Sequence, residues 1–87
     1  IPGLKVVIPT TPQDAYGLLR SSIQDDNPVI FLEHRWLHDT TAEVDEDKLI
    51  PLGPPGVLRE GTSATVVGTC WMNVEALKAA EIIVDLG

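Results

Sequence analysis

The side chains best suited to chemistry stand in one short run, His34-Arg35-Trp36-Leu37-His38, directly after the apolar stretch Val29 to Leu32. Arg35 is a permanent cation with a planar fork of donors, fit for a bidentate grip on an anionic substrate. The plainer use of the same group is an ion pair with Glu33 or Asp39 at a subunit interface. His34 and His38 are four apart, a spacing that puts two ligands on one side of a helix but not of a strand. The apolar run before them predicts an extended segment, in which they cannot share a metal ion. Trp36 and Trp71 suit either interface anchors or core packing. Cys70 has no base beside it in sequence and reads as a small buried hydrophobe rather than a nucleophile. Glu43, Asp45, Glu46 and Asp47 lack the glycine and terminal glutamate spacing of a calcium loop, so they read as a solvated acidic stretch. Glu60 and Glu75 read as surface carboxylates.

These groups need elements to hold them. Leu4 to Ile8 is a short run rich in β-branched residues stopped by Pro9, which predicts a buried strand. Thr10 and Thr11 then offer a hydroxyl cap, Pro12 fits a first helical position, and Thr11 with Asp14 resembles a capping box with Asp in place of Glu. Ala15, Leu18, Leu19, Ser22 and Ile23 follow helical spacing, giving a face that packs on a sheet. Asp25-Asp26-Asn27-Pro28 ends the helix. Val29 to Leu32 is continuously apolar, as in a parallel strand covered on both faces. Strand, helix and strand with short links predict a right-handed crossover. His34 and Arg35 would then sit at the carboxyl edge of the sheet, where open α/β folds bind ligands.

Beyond Asp39 the composition turns acidic and polar, predicting an exposed linker. Leu49 to Gly61 is too rich in Pro and Gly for a helix. Val57-Leu58 and Ala64 to Val67 flank Arg59-Glu60-Gly61-Thr62 as a hairpin would. From about Asn73 to Val84 an apolar stripe of Val74, Leu77, Ala80 and Val84 predicts an amphipathic helix.

The 87 residues allow one small domain at most, and 44% hydrophobic against 22% charged residues argues for a packed core rather than disorder. A net charge of −7 disfavours nucleic acid and anionic membranes as partners. No run approaches the roughly 20 apolar residues that span a bilayer. One cysteine gives no disulfide framework, and a cytoplasmic setting is the expectation. The chain starts without Met and without a secretory signal pattern, and an upstream segment is expected to have been cut, cleaved or left out.

Pro2-Gly3-Leu4-Lys5-Val6-Val7, Asp14-Ala15-Tyr16-Gly17-Leu18 and Asp26-Asn27-Pro28-Val29, with Leu32-Glu33-His34, resemble the close of the pyrimidine-binding domain in one enzyme family. This is the beta subunit of the decarboxylating component of 2-oxoacid dehydrogenase complexes, of the pyruvate dehydrogenase type, within the transketolase-like superfamily. Pro51-Leu52-Gly53, Val57-Leu58-Arg59-Glu60-Gly61 and Glu75-Ala76-Leu77-Lys78-Ala79-Ala80-Glu81 resemble the opening of that family's C-terminal domain, in the same order. The resemblance implies an α/β fold. Residues 1–38 would be the strand-helix-strand end of a pyrimidine-binding domain and 39–50 an acidic linker. Residues 51–87 would be the strand-rich start of a second α/β domain, both sheets being incomplete.

The resemblance also implies a parent enzyme that oxidatively decarboxylates a 2-oxoacid with thiamine diphosphate and magnesium and passes the acyl group to a lipoyl carrier. Its implied partners are an alpha subunit and a lipoyl acyltransferase core. The family's glutamate for the thiamine ring and its histidine near the reacting carbon lie upstream of the matched stretch. Its Gly-Asp-Gly diphosphate motif belongs to the alpha subunit, so this chain alone is expected to be inactive. By the same analogy the backbone carbonyls of Ser22, Ile23, Asp25 and Asn27 would hold a potassium ion, at a helix end where carbonyls lack partners. Family beta subunits carry a glutamate where Arg35 stands. An arginine there is found in sugar-phosphate relatives, where it faces substrate phosphate, which keeps a transketolase-like fragment as an alternative. A stand-alone interaction module is another, and self-association is expected to cover the exposed edges. Val84-Asp85-Leu86 arrives early against the family pattern, as if about ten residues were lost or the helix runs on.

Overall fold

A computed structural model describes residues 1–85, so Leu86 and Gly87, with the end of the Val84-Asp85-Leu86 motif, lie outside the described residues. The element order is β1 (Lys5–Val7), α1 (Pro12–Gln24), β2 (Val29–Phe31), a 3₁₀ helix (Arg35–Asp39) and α2 (Trp71–Asp85). β1 and β2 pair in parallel, with Lys5 opposite Val29, Val6 opposite Ile30 and Val7 opposite Phe31. The pairing runs on through the amide of Leu32, which donates to the Val7 carbonyl at 2.9 Å.

α1 begins where its capping residues place it. The Asp14 amide donates to Thr11 Oγ1 at 3.1 Å, and the Thr11 amide donates to Asp14 Oδ2 at 3.2 Å. Asp14 thus completes a reciprocal box, with Pro12 in the first turn where a missing N–H costs nothing. Thr11→Ala is expected to cost about 1 kcal/mol, read as a lowered urea midpoint with unchanged slope.

The two sheet faces are unequal. Lys5, Val7, Val29 and Phe31 are half-covered or buried. Lys5 Nζ reaches the C-cap of α1, so α1 lies on that side. Val6, Ile8, Ile30 and Leu32, which alternate to the other face, are exposed. Among the described residues only Val7, Pro9 and Gly17 are buried.

The hairpin expected from Val57-Leu58 and Ala64 to Val67 is not formed: no described residue between 40 and 70 lies in a strand. The strand-rich character expected of 51–87 is likewise not seen among the described residues. An isolated two-stranded hairpin is marginal in water. Arg59-Glu60-Gly61-Thr62 lacks the Asn-Gly type of turn that would bias pairing, and Val57, Val66 and Val67 face solvent instead. α2 starts two residues before the expected Asn73 and carries Val74, Leu77 and Ala80 on its half-covered side. The helix continues through Val84 and Asp85.

The acidic segment has exposed carboxylates, but its backbone is anchored. Gln13 Nε2 donates to the Asp45 carbonyl at 3.2 Å, while Gln13 Oε1 accepts from the Asp45 amide at 2.7 Å. Arg20 Nη1 donates to the Glu46 carbonyl, and Ser21 Oγ donates to the Ile50 carbonyl at 2.6 Å. Residues 45–50 therefore form a strap along one stripe of α1, with Ile50 seated over Gly17.

Candidate functional site

The carboxyl ends of β1 and β2 open into a shallow groove of about 220 Å³ between the β1–α1 corner and the 3₁₀ helix. Pro9, Thr10, Thr11 and Ala15 line one wall, and Leu37 and His38 line the other. This is the edge where a parallel α/β unit presents ligand-binding loops.

The expected extended run after β2 is instead a 3₁₀ helix, and the reason is local. His34 acts as its cap, with Nδ1 accepting the Trp36 amide at 3.1 Å, and the Leu37 amide donates to the His34 carbonyl at 3.0 Å. The two histidines are thereby sent to different partners. His34 packs against Trp36 and Trp71, with ring centroids 5.1 and 5.9 Å away. His38 Nε2 lies 3.2 Å from Glu33 Oε2. Among the described residues no group of three His, Cys, Asp or Glu side chains converges on a metal position.

Arg35 is exposed and does not line the groove. Among the described residues Arg35 makes no ion pair with Glu33 or Asp39, and Glu33 stands beside His38 instead. His34 is turned toward the tryptophans, so of the sequence-predicted group it is His38, with Leu37, that faces the groove.

The first turn of α2 docks at the same edge. Thr10 Oγ1 donates to the Cys70 carbonyl at 3.3 Å and accepts from Asn73 Nδ2 at 2.8 Å. Trp36 and Trp71 meet edge to face at 5.4 Å, and Lys78 Nζ stands 5.6 Å from the Trp71 ring centre. Cys70, at φ 54°, takes a left-handed backbone that non-glycine residues adopt at a cost of roughly 1 kcal/mol or more. It is half-buried, with a free thiol. Neither Thr10 nor Asn73 was picked out as a site residue by sequence reasoning, and nothing in their local spacing signals a bond across more than sixty residues.

At the far end of α1, Ser22 and Ile23 occupy the last turn, Asp25 is the C-cap and Asn27 follows. The Ser22 carbonyl accepts from the Asp25 amide at 3.3 Å, and Asp25 Oδ1 accepts from the Asn27 amide at 2.8 Å. Lys5 Nζ donates to Asp25 Oδ2 at 2.5 Å. This Lys5 bond, followed by the Asn27 amide, holds the Asp25 carboxyl below its ordinary range. A depressed folded-state pKa means that the contribution is fully present above the unfolded value, near 3.8, and is lost as pH falls through the folded value. Acid titration of stability is therefore expected to show a falling limb below about pH 5 that is shallower in Asp25→Asn. An identical limb in both proteins would count against the pair.

Residues 1–39 match the family described as Transketolase, pyrimidine binding domain, so the β1–α1–β2 unit and its carboxyl edge are of that domain class. The chain is 50% identical over 70 residues to 2-oxoisovalerate dehydrogenase subunit beta 2, mitochondrial, of Arabidopsis thaliana, over 78% of this chain and 20% of the relative. It is 41% identical over 92 aligned residues to Pyruvate dehydrogenase E1 component subunit beta, mitochondrial, of Dictyostelium discoideum, over 100% of this chain and 26% of the relative. The Bacillus subtilis (strain 168) Pyruvate dehydrogenase E1 component subunit beta is 48% identical over 82 residues, 92% of this chain and 25% of the relative. The chain is thus similar to beta subunits of 2-oxoacid dehydrogenases over most or all of its length. It spans about a quarter of the length of the curated relatives it matches. No solved structure matches it.

Proposed function

We propose that these residues are the junction between the pyrimidine-binding and C-terminal domains in the beta subunit of a thiamine-diphosphate-dependent 2-oxoacid dehydrogenase. The observation that carries this is the match to such beta subunits along the whole chain, on both sides of the strap. In this reading 1–38 closes the first domain, 39–50 links and 51–87 opens the second. The parent decarboxylates a 2-oxoacid and transfers the acyl group to a lipoyl carrier, with an alpha subunit and a lipoyl acyltransferase core as partners. Its setting is a reducing compartment such as the cytoplasm, in keeping with one unpaired cysteine.

The residues present do not fit the cofactor by themselves. The carboxyl-edge groove offers threonine hydroxyls and one imidazole, with no cationic side chain for a diphosphate and no carboxylate for magnesium among its lining residues. The part this chain plays is scaffolding: Thr10, His34 and Trp71 fix α2 to the domain edge, and the strap fixes the linker to α1. The potassium reading stays with the carbonyls of Ser22, Ile23, Asp25 and Asn27. It is supported by the negative end of α1 and opposed by the Lys5 ammonium already beside Asp25.

The test is to express the full reading frame that encodes these residues with the alpha-subunit frame beside it. 2-Oxoacid-dependent release of carbon dioxide is then assayed with thiamine diphosphate and magnesium. Activity of the pair, and none with the 87-residue chain in place of the full frame, is the expected result. A frame with no beta-subunit sequence around these residues would instead make the chain an interaction module. Turnover of a phosphorylated sugar, lost on Arg35→Ala, would move it to the transketolase relatives.

A further inference from the structure

α2 is held to the carboxyl edge by two fastenings of different chemistry. One is made by groups that do not titrate: Thr10 Oγ1 bonds to the Cys70 carbonyl and to Asn73 Nδ2, with Cys70 in a left-handed backbone at φ 54°. The other is the stack of His34 on Trp71, with ring planes 25° apart and centres 5.9 Å apart. Trp36 closes this cluster, 5.1 Å from the His34 ring. Imidazole is the side chain that ordinarily changes charge between pH 5 and 8, so the second fastening has a chemistry that the first lacks.

His34 Nδ1 accepts the Trp36 amide at 3.1 Å. An accepting ring nitrogen carries no proton, so the ring in this arrangement is the neutral tautomer with its hydrogen on Nε2. A proton added to Nδ1 turns that acceptor into a donor. Two N–H groups would then face each other, and the ring must turn away. The same ring orientation caps the 3₁₀ helix and stacks on Trp71, so a proton that breaks the cap also breaks the stack. The surroundings do not hold a charged ring in place. Among the described residues no carboxylate bonds to His34, and Glu33 stands with His38. Arg35, next in the chain, is exposed and cationic. From α2, Lys78 Nζ already stands 5.6 Å from the centre of the Trp71 ring, whose face would otherwise attract an imidazolium. Glu75 lies 3.8 Å from that ammonium.

We propose that His34 is a proton-operated latch for α2. Neutral, it caps the 3₁₀ helix and stacks on Trp71. Protonated, it leaves both, and the edge keeps only the Thr10–Asn73 fastening. Release takes up one proton, so the latch is strongest at high pH and opening increases as pH falls, by at most about tenfold per pH unit. The latch goes beyond the enzymatic reading and does not depend on it. It makes the mounting of α2 sensitive to pH at the edge where a parallel α/β unit presents its ligand-binding loops.

The test is amide hydrogen exchange of the full reading frame that encodes these residues, expressed with the alpha-subunit frame and corrected for intrinsic exchange at each pH. Protection of 35–39 and 71–85 is expected to fall together, by about 10-fold between about pH 7.5 and 5.5, the change that one imidazole proton supplies. Protection of 12–24 stays constant. His34→Asn and His34→Ser each keep an acceptor for the Trp36 amide but take up no proton. Both lower the protection of 71–85 by losing the stack, and both abolish its dependence on pH, whereas His38→Asn leaves that dependence intact. Flat protection of 71–85 in the native protein overturns the latch. So does a fall shared equally by 12–24, or a dependence that survives in either His34 variant. If neither variant assembles, the native profile decides: a joint fall of 35–39 and 71–85 against a constant 12–24 supports the latch, and any other pattern overturns it. None of these outcomes touches the carbon dioxide assay, so failure of the latch and failure of the enzymatic reading are told apart.

Discussion

Gly17→Leu is expected to strip the strap from α1 while leaving the helix intact, at a net cost of about 2–3 kcal/mol. A Cβ at Gly17 would lie 2.7 Å from Ile50 Cγ1, 2.9 Å from Cδ1 and 3.2 Å from Cβ. The first two atoms can rotate away. The third moves only with the backbone, and that backbone is held by the bond from Ser21 Oγ to the Ile50 carbonyl. Even alanine should therefore lose. It gains about 0.5–1 kcal/mol of helix propensity over glycine, but overpacking typically costs 1–3 kcal/mol. Amide exchange separates the two effects: the Asp45 amide, which donates to Gln13, should lose protection while amides within α1 keep theirs. An alanine variant more stable than the parent would show that Ile50 yields freely and that the strap is only laid on the surface.

Gly17 also shows what the sequence could and could not disclose. A glycine inside a helical pattern costs stability, so its presence in α1 signals that something approaches closely. The signal does not say what approaches. Gln13, Arg20 and Ser21 bond to backbone carbonyls and an amide at 45–50, and a backbone group has no residue type to read. The elements that were legible are those with local causes. Thr11, Pro12 and Asp14 mark the start of α1, Pro9 and Pro28 bracket the strands, and the apolar stripe marks α2. The apolar run Val29 to Leu32 predicts that the extended segment continues, whereas His34 caps the next turn and a 3₁₀ helix forms. The hairpin at 57–67 failed for the opposite reason. Short apolar runs flank the turn residues, but a strand pair is stable only against a third surface, and the described residues provide none there.

Trp71→Ala is expected to release α2 from the carboxyl edge, at about 2 kcal/mol. Truncating a fully buried aromatic costs about 3–5 kcal/mol, and Trp71 is half-buried, which brings the figure down. The ring is nevertheless the hub of the attachment, with His34 stacked on it, Trp36 edge-on and Lys78 over it. What remains after its removal is the Thr10–Asn73–Cys70 network, and Cys70 sits there in an unfavourable left-handed conformation. A polar link that carries strain is a weak hold for a fifteen-residue helix. Amide exchange across 71–85 should accelerate while the β1–α1–β2 amides stay protected, and Trp71→Phe should recover most of the loss through ring stacking alone. Uniform acceleration over the whole chain would mean that α2 and the parallel pair unfold as one unit. The aromatic cluster would then be part of a single cooperative core rather than the hinge by which one half of the chain is mounted on the other.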